Sequence, residues 1–466
     1  MSAYTPQDAV ERALQAAQSE DCVVIADESS TANLRWAGNT LTTNGVSRTR
    51  QLTIIAITRQ DEAARAGVLS RAGVPDDQIP ELVAEAVHAA AQASPADDAQ
   101  PLVSQPASSA DGPGWEQPPA QTEIAVFADF ASDLGDAFAT AAAGGRKLYG
   151  FAEHSVTSTY IGTSTGLRLR HDQPAGRLEL NEKSADMARS AWSGVSTATF
   201  ADVDVAALEA GLAQRIAWAA RKVELPAGRY EAVLPPTALA DLMIYMYWSA
   251  GAKDALDGRT VFSKPGGGIR VGEQLASLPL SLWSDPAAPG LQCTPFVIAH
   301  ASSRQSSLFD NGLPKARTNW LADGKLAALI QTRHTAQLSG QPVTPGIDNL
   351  VLDAAGASGS LADLVGRTSR GLLLTCLWYI REVDPQTLLL TGLTRDGVYL
   401  VENGEVTGAV NNFRFNESPV GMLSRITEVG DTVPTLPREW ADYFTRAAMP
   451  AVRVEGFNMS SVSQAS

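Results

Sequence analysis

Apolar positions recur at helical spacing near the start of the chain, where Val10, Ala13, Leu14 and Ala17 follow Thr5, Pro6 and Asp8. A hydroxyl at the cap, proline at the first helical position and a carboxylate three residues after the cap are a helix-start signature. The spacing therefore predicts a helix from about residue 5. Runs of β type follow at 22–26, 33–37, 41–47 and 51–58, separated by the turn pairs Gly38-Asn39 and Asn44-Gly45. Leu82, Val83, Ala86, Val87 and Ala90 then share one face of a second helix over 79–93. After residue 121 the same order returns: a helix over 127–143, β-type runs at 147–154, 158–162, 166–170 and 176–182, and a helix over 205–220. The two halves agree in element order and only faintly in residues, which points to an internal duplication.

Between the halves, residues 95–121 hold six prolines, four acidic residues and no Lys or Arg. That composition reads as a linker or a surface excursion. Beyond Pro226 the chain becomes richer in strands around one apolar helix. Asn403-Gly404, between two β-type runs, suits a type I′ hairpin turn. A second hairpin is expected at Ala322-Asp323-Gly324, followed by a strand over 325–331. The expected fold class is α+β: a first repeat over 1–94, the Pro-rich stretch 95–121, a second repeat over 122–225 and a strand-rich C-terminal domain over 226–462.

Composition narrows the function classes. The 36 basic and 51 acidic residues give a net charge of -15, which disfavours direct binding to nucleic acid or to an anionic membrane. The longest apolar runs, 242–251 and 371–380, are about half of what a bilayer requires and are core candidates. Cys22, Cys293 and Cys376 are odd in number and far apart, which suits a reducing compartment. The first residues lack a basic segment followed by an apolar one. A cytoplasmic location is the expectation.

The candidates for chemistry are weak one by one. His88, His154, His171, His300 and His334 never come closer than 17 positions, so the helical His pair of many zinc hydrolases is missing. Long-range ligation by His154, His171 and a carboxylate stays as the alternative to surface or core histidines. Gly162-Thr-Ser164-Thr-Gly166 matches the Gly-x-Ser-x-Gly elbow, yet both flanks read as strands, where that motif needs a strand followed by a helix. A β-turn is the expectation there. Cys376 sits in an apolar run and reads as a buried thiol. Lys264-Pro-Gly-Gly-Gly268 lacks the Lys-Ser/Thr ending of a phosphate loop and reads as a flexible connection. No carboxylate pair is singled out by spacing.

Several stretches of the C-terminal half resemble the TldD/PmbA family. They are Phe309-Asp-Asn-Gly-Leu-Pro314, the hairpin from Asn319 to Leu326, Pro345-Gly-Ile-Asp-Asn-Leu350, Gly371-Leu-Leu-Leu-Thr375 and Gly397-Val-Tyr-Leu-Val-Glu-Asn-Gly404. The resemblance implies a paired system: a zinc-bearing TldD-type catalytic subunit and a PmbA/TldE-type subunit without zinc, together a cytoplasmic peptidase acting on unfolded peptides. In catalytic members a His-Glu-x-x-x-His helix follows a strand ending in a Gly-Pro segment. Alignment on Pro236 puts Ile244, Tyr245 and Ser249 at the positions of the first His, the Glu and the last His, and no His or Glu occurs between Ala232 and Gly272. The family's late cysteine ligand is also missing, since no Cys follows Cys376. The resemblance thus implies a chain with no cofactor of its own, zinc in a TldD-like partner, a heterodimer and a peptide substrate taken up by strand addition. Tyr245, Tyr247 and Trp248 are candidate interface residues, with plain core as the alternative. Two other functions stay open: a self-sufficient peptidase using Ser164, Cys376 or an unrecognised metal set, and a regulatory binding protein without proteolytic role.

Overall fold

The computed structural model describes residues 4–18, 21–104 and 114–463. Its N-terminal part is one six-stranded sheet made by both halves of the sequence. The first half supplies helix α1 (Pro6–Ala16), strands β1 (Asp21–Ala37), β2 (Leu41–Gln60) and β3 (Ala63–Ala72), and helix α2 (Ile79–Gln92). The second supplies α3 (Ala128–Ala143), β4 (Arg146–Thr163), β5 (Arg168–Ser184), β6 (Ser190–Thr197) and α4 (Val205–Trp218). The strand order is β3-β2-β1-β4-β5-β6, joined at its centre by antiparallel β1 and β4, with Ile25 opposite Ile161.

Strand alternation explains the continuous apolar runs. On one side, Val24, Ala26 and Ile54 pack under α1 and α2 with Val10, Leu82 and Val83. Further along the sheet, α3 and α4 bury Phe130, Leu134 and Leu212 against Trp36, Leu148 and Leu180. The intervening residues Val23, Ile25, Ile55, Ile57 and Ile161 point the other way, onto Phe296, Leu308 and Phe309 of the C-terminal part. Both sheet faces are covered there, so period-two patterning disappears from the sequence. At the start of α1, Thr5 and Asp8 cap reciprocally as the sequence predicts.

The short runs read from the sequence merge into long strands. Asn44-Gly45 is not a turn; the pair lies inside β2, opposite Leu34 and Asn33 of β1. Both residues are paired in the ladder, which shifts register only beyond Thr43, and that pairing outweighs their local preference for a turn. β3 and β6 are also real strands, unread because their alternation is diluted by Ala, Gly and Ser. The turn between β2 and β3 is Asp61-Glu62, both at positive φ (51° and 67°) without glycine. The described parts of the Pro-rich stretch lie on the sheet, where Gln7 donates to the carbonyls of Trp115 and Gln117 and Trp115 packs edge-on to Tyr160 at 5.5 Å. Residues 105–113 of that stretch lie outside the described residues.

The C-terminal part carries a large, mixed sheet of fourteen strands. The two late motifs pair directly, Arg370–Leu374 antiparallel to Val398–Glu402, with Leu372 opposite Leu400. Asn403 and Gly404 take positive φ in the hairpin turn as expected, whereas the strand after Gly324 runs only over Lys325–Leu326. Against this sheet lies α5 (Pro236–Trp248), apolar on all sides and buried along nearly its whole length, as expected of a helix inside a core. Among the described residues no helix is long and apolar enough to cross a membrane.

Candidate functional site

The C-terminal end of α5 opens on a cavity of about 290 Å³. Its floor is Tyr247 and Trp248, and its walls come from two of the family-like motifs, through Asp310 on one side and the segment Pro345 to Asp348 on the other. Each wall is held by internal bonds. Asp310, 2% exposed, accepts from Arg333 Nε at 2.6 Å and from the Arg333 amide at 3.1 Å. Asn311 exchanges bonds with both backbone groups of Ala299 and donates to Leu308 O, which uses its amide fully. Gly312 takes φ +82°, and a Cβ there would stand 2.2 Å from Leu167 Cδ2 of the turn between β4 and β5. The motif therefore also seats the C-terminal part on the N-terminal sheet. On the other wall, the Tyr247 hydroxyl accepts from Ile347 N at 2.7 Å and donates to Ile347 O at 3.0 Å. Lys315 Nζ stands 3.4 Å from Asp348 Oδ2, a pair of opposite charges beside the cavity.

The loop 436–446 closes α5 from outside. Trp440 stacks at 5.6 Å from Tyr245 and 5.2 Å from Trp248, and Phe444 lies 6.3 Å from Tyr247 and 6.2 Å from Trp248. Trp440 Nε1 donates to Asp241 O at 2.8 Å, and Glu439 N donates to Asp241 Oδ1 at 2.9 Å. Asp241 is fully buried, with Oδ2 unpaired, and burial raises its pKa well above the usual carboxylate range. Tyr443, 77% exposed, stands at the rim of the cavity.

A family model described as the PmbA/TldA metallopeptidase C-terminal domain matches residues 227–461. The chain belongs to the TldD/PmbA family. Solved structures with this fold include TldE from Thermococcus kodakarensis, with a TM-score of 0.78 and 16% identity over 97% of this chain and 99% of that one. A putative modulator of a DNA gyrase from Thermotoga maritima has a TM-score of 0.76 and 18% identity over 97% of this chain and 100% of its own. A putative modulator of DNA gyrase from Bacteroides thetaiotaomicron gives 0.76 and 15%, over 98% of both chains. No curated protein matches. At these identities the structures speak for the fold alone.

Within this family fold, Ile244 is wholly buried in the core, and Tyr245 lies under Trp440. Ser249 Oγ donates back to Tyr245 O at 2.9 Å. These three groups do not fit zinc, which is bound by thiolate, imidazole or carboxylate, and the ring cluster fills the space beside them. Among the described residues no three His, Cys, Asp or Glu side chains come together at metal-binding distance. Tyr247 is 4% exposed, and its hydroxyl makes both of its bonds to Ile347 within the chain. Tyr245 and Trp248 are partly buried beneath the chain's own loop 436–446.

The other candidates resolve individually. His154 is buried between Thr122 Oγ1 at 2.7 Å and Ala198 O at 2.8 Å, while His171 pairs across the sheet with Thr159 and packs near Phe296. The two do not meet. Ser164 lies in a turn between antiparallel strands, accepting from Cys22 N at 3.0 Å. It has no helix behind it and no elbow. Cys376 is 1% exposed, and burial pushes its thiol up to about 12, away from nucleophilic use. Lys264-Pro-Gly-Gly-Gly268 is a tight turn closed by Lys264 N donating to Gly268 O at 2.9 Å, rather than a loose connection. The loop 436–446 escaped sequence reasoning, although Trp440 and Phe444 in a proline-bounded stretch were a visible signal.

Proposed function

We propose that this chain is the noncatalytic, zinc-free subunit of a cytoplasmic heterodimeric peptidase of the TldD/TldE type, supporting cleavage of unfolded peptides by a TldD-like partner that carries the zinc. The observation that carries the reading is the end of α5, where the positions that the family resemblance aligns with the catalytic motif hold Ile244, Tyr245 and Ser249, and where Trp440 packs on the helix. Side chains that pack rather than ligate at these positions support a subunit without zinc of its own. The cavity beside it, with its aromatic floor and Lys-Asp pair, supports contact with peptide without chemistry on it.

The test is reconstitution. The purified chain, a TldD-like protein from the same genome and their mixture are assayed for zinc content and for cleavage of an unfolded peptide. Cleavage in the mixture alone, with zinc on the partner, is the expected result. Stoichiometric zinc in this chain, or cleavage by it alone, overturns the proposal, as does failure of the two proteins to associate.

A further inference from the structure

A second cavity, of about 620 Å³, lies between α4, the short helix Leu361–Gly366 and the hairpin that carries Asn403-Gly404. Its volume is within the range of roughly 300–1,000 Å³ typical of small-molecule sites. The walls are apolar: Trp218, Leu361, Val365, Leu373 and Val406. Trp218 is held edge-on to Tyr399 at 5.3 Å, so this wall is fixed.

One cation lines the cavity. Arg215, on α4, donates through Nη1 to Trp192 O at 2.7 Å, and its own carbonyl accepts from the Tyr399 hydroxyl at 3.4 Å. Among the described residues its Nε and Nη2 make no hydrogen bond and no carboxylate stands within ion-pair distance of it. Arginines nearby in the fold behave otherwise: Arg438 is paired with Glu179 and Arg367 with Glu428. A guanidinium tethered at one nitrogen keeps its remaining donors in a fixed plane, the geometry that suits a carboxylate. Burial lowers the pKa of Arg215, and no carboxylate is among the groups that offset it.

We propose that this cavity binds an organic carboxylate with an apolar body, the carboxylate pairing with the unbonded donors of Arg215 and the body lying against Trp218, Leu361 and Val365. Glu405, exposed, also lines the cavity. It favours a ligand that carries an ammonium group as well, as an amino acid or short peptide does, over a free apolar acid. The proposal stands apart from the peptidase reading, since it uses none of the residues at the end of α5.

Calorimetric titration of the full chain tests it with three probes: the dipeptide Leu-Phe, its C-terminal amide and 4-phenylbutyrate. At least one of the two acids is expected to bind, with the amide weaker than its parent acid by about tenfold or more if the dipeptide binds. Arg215→Gln should remove that preference for the acid. Because Arg215 also holds Trp192 O, a second variant guards against a folding defect. A Cβ on Gly211 meets nothing within 4 Å, and replacing a helical glycine favours the helix, so Gly211→Leu fills the cavity with the hydrogen bonds kept. It should abolish binding. Glu405→Gln separates the sources: dipeptide binding that weakens assigns the ligand to amino acids or peptides, and dipeptide binding no weaker than in the parent protein assigns it to free acids. Equal affinity for acid and amide, no saturable binding of either acid, or binding indifferent to Gly211→Leu overturns the proposal.

Discussion

Trp440→Ala should loosen α5 far more than it loosens the rest of the protein. The indole is partly buried, and an aromatic side chain buries roughly 150–250 Å² when fully covered. With about half of that lost at about 25 cal/mol per Å², the apolar part comes to about 2 kcal/mol. The bond from Nε1 to Asp241 O adds about 1 kcal/mol. Opening of the Pro236–Trp248 helix should then become easier by about 3 kcal/mol, which is roughly a hundredfold in the opening equilibrium. Hydrogen exchange followed by mass spectrometry on peptides from α5 reads this directly. Trp440→Phe keeps most of the ring contact and loses the bond alone, so its effect should be about a third as large in free energy. Exchange in α5 within about threefold of the parent protein in Trp440→Ala would refute the idea that the loop holds the helix.

Asp241→Asn tests the buried carboxylate. Its folded pKa is raised by burial, so the stability it contributes is full below the unfolded pKa of about 3.9 and is lost as pH rises towards the folded value. The melting temperature of the variant relative to the parent should therefore climb as pH rises above about 4; a falling difference refutes this. Glu182 is pushed up to about 7, chiefly by burial, with Arg146 pulling the other way and Glu209 adding to the rise. Its stabilising contribution is lost from about pH 4.5 to about pH 7, and Glu182→Gln should remove that slope from the melting temperature whatever it does to the absolute level. Gly312→Ala should cost about 1–2 kcal/mol from the positive φ and the contact with Leu167. Adding Leu167→Ala should recover the contact share in a double-mutant cycle of denaturation midpoints, while additivity of the two changes would place the cost in the backbone alone.

The helix starts were legible because they are local: a hydroxyl, a proline and a carboxylate in the first turn of α1 satisfy backbone groups within a few residues. So was the hairpin at Asn403-Gly404, whose two residues both adopt the positive φ that the turn requires. The lack of His and Glu between Ala232 and Gly272 was likewise a matter of residue identity. Strand length was not legible. Asn44-Gly45 has turn chemistry, and only the pairing of β2 with β1, residues apart in sequence, holds it extended. Nor could the sequence say that the two similar halves would share one sheet, since the contact between β1 and β4 spans more than a hundred residues. The same holds for the site. Sequence supplied an aromatic helix, but what the Tyr247 hydroxyl bonded depended on Ile347, and what covered Tyr245 depended on Trp440. Residue types set which groups could bond or pack; long-range contacts, made only when the chain closes on itself, decided which of them did.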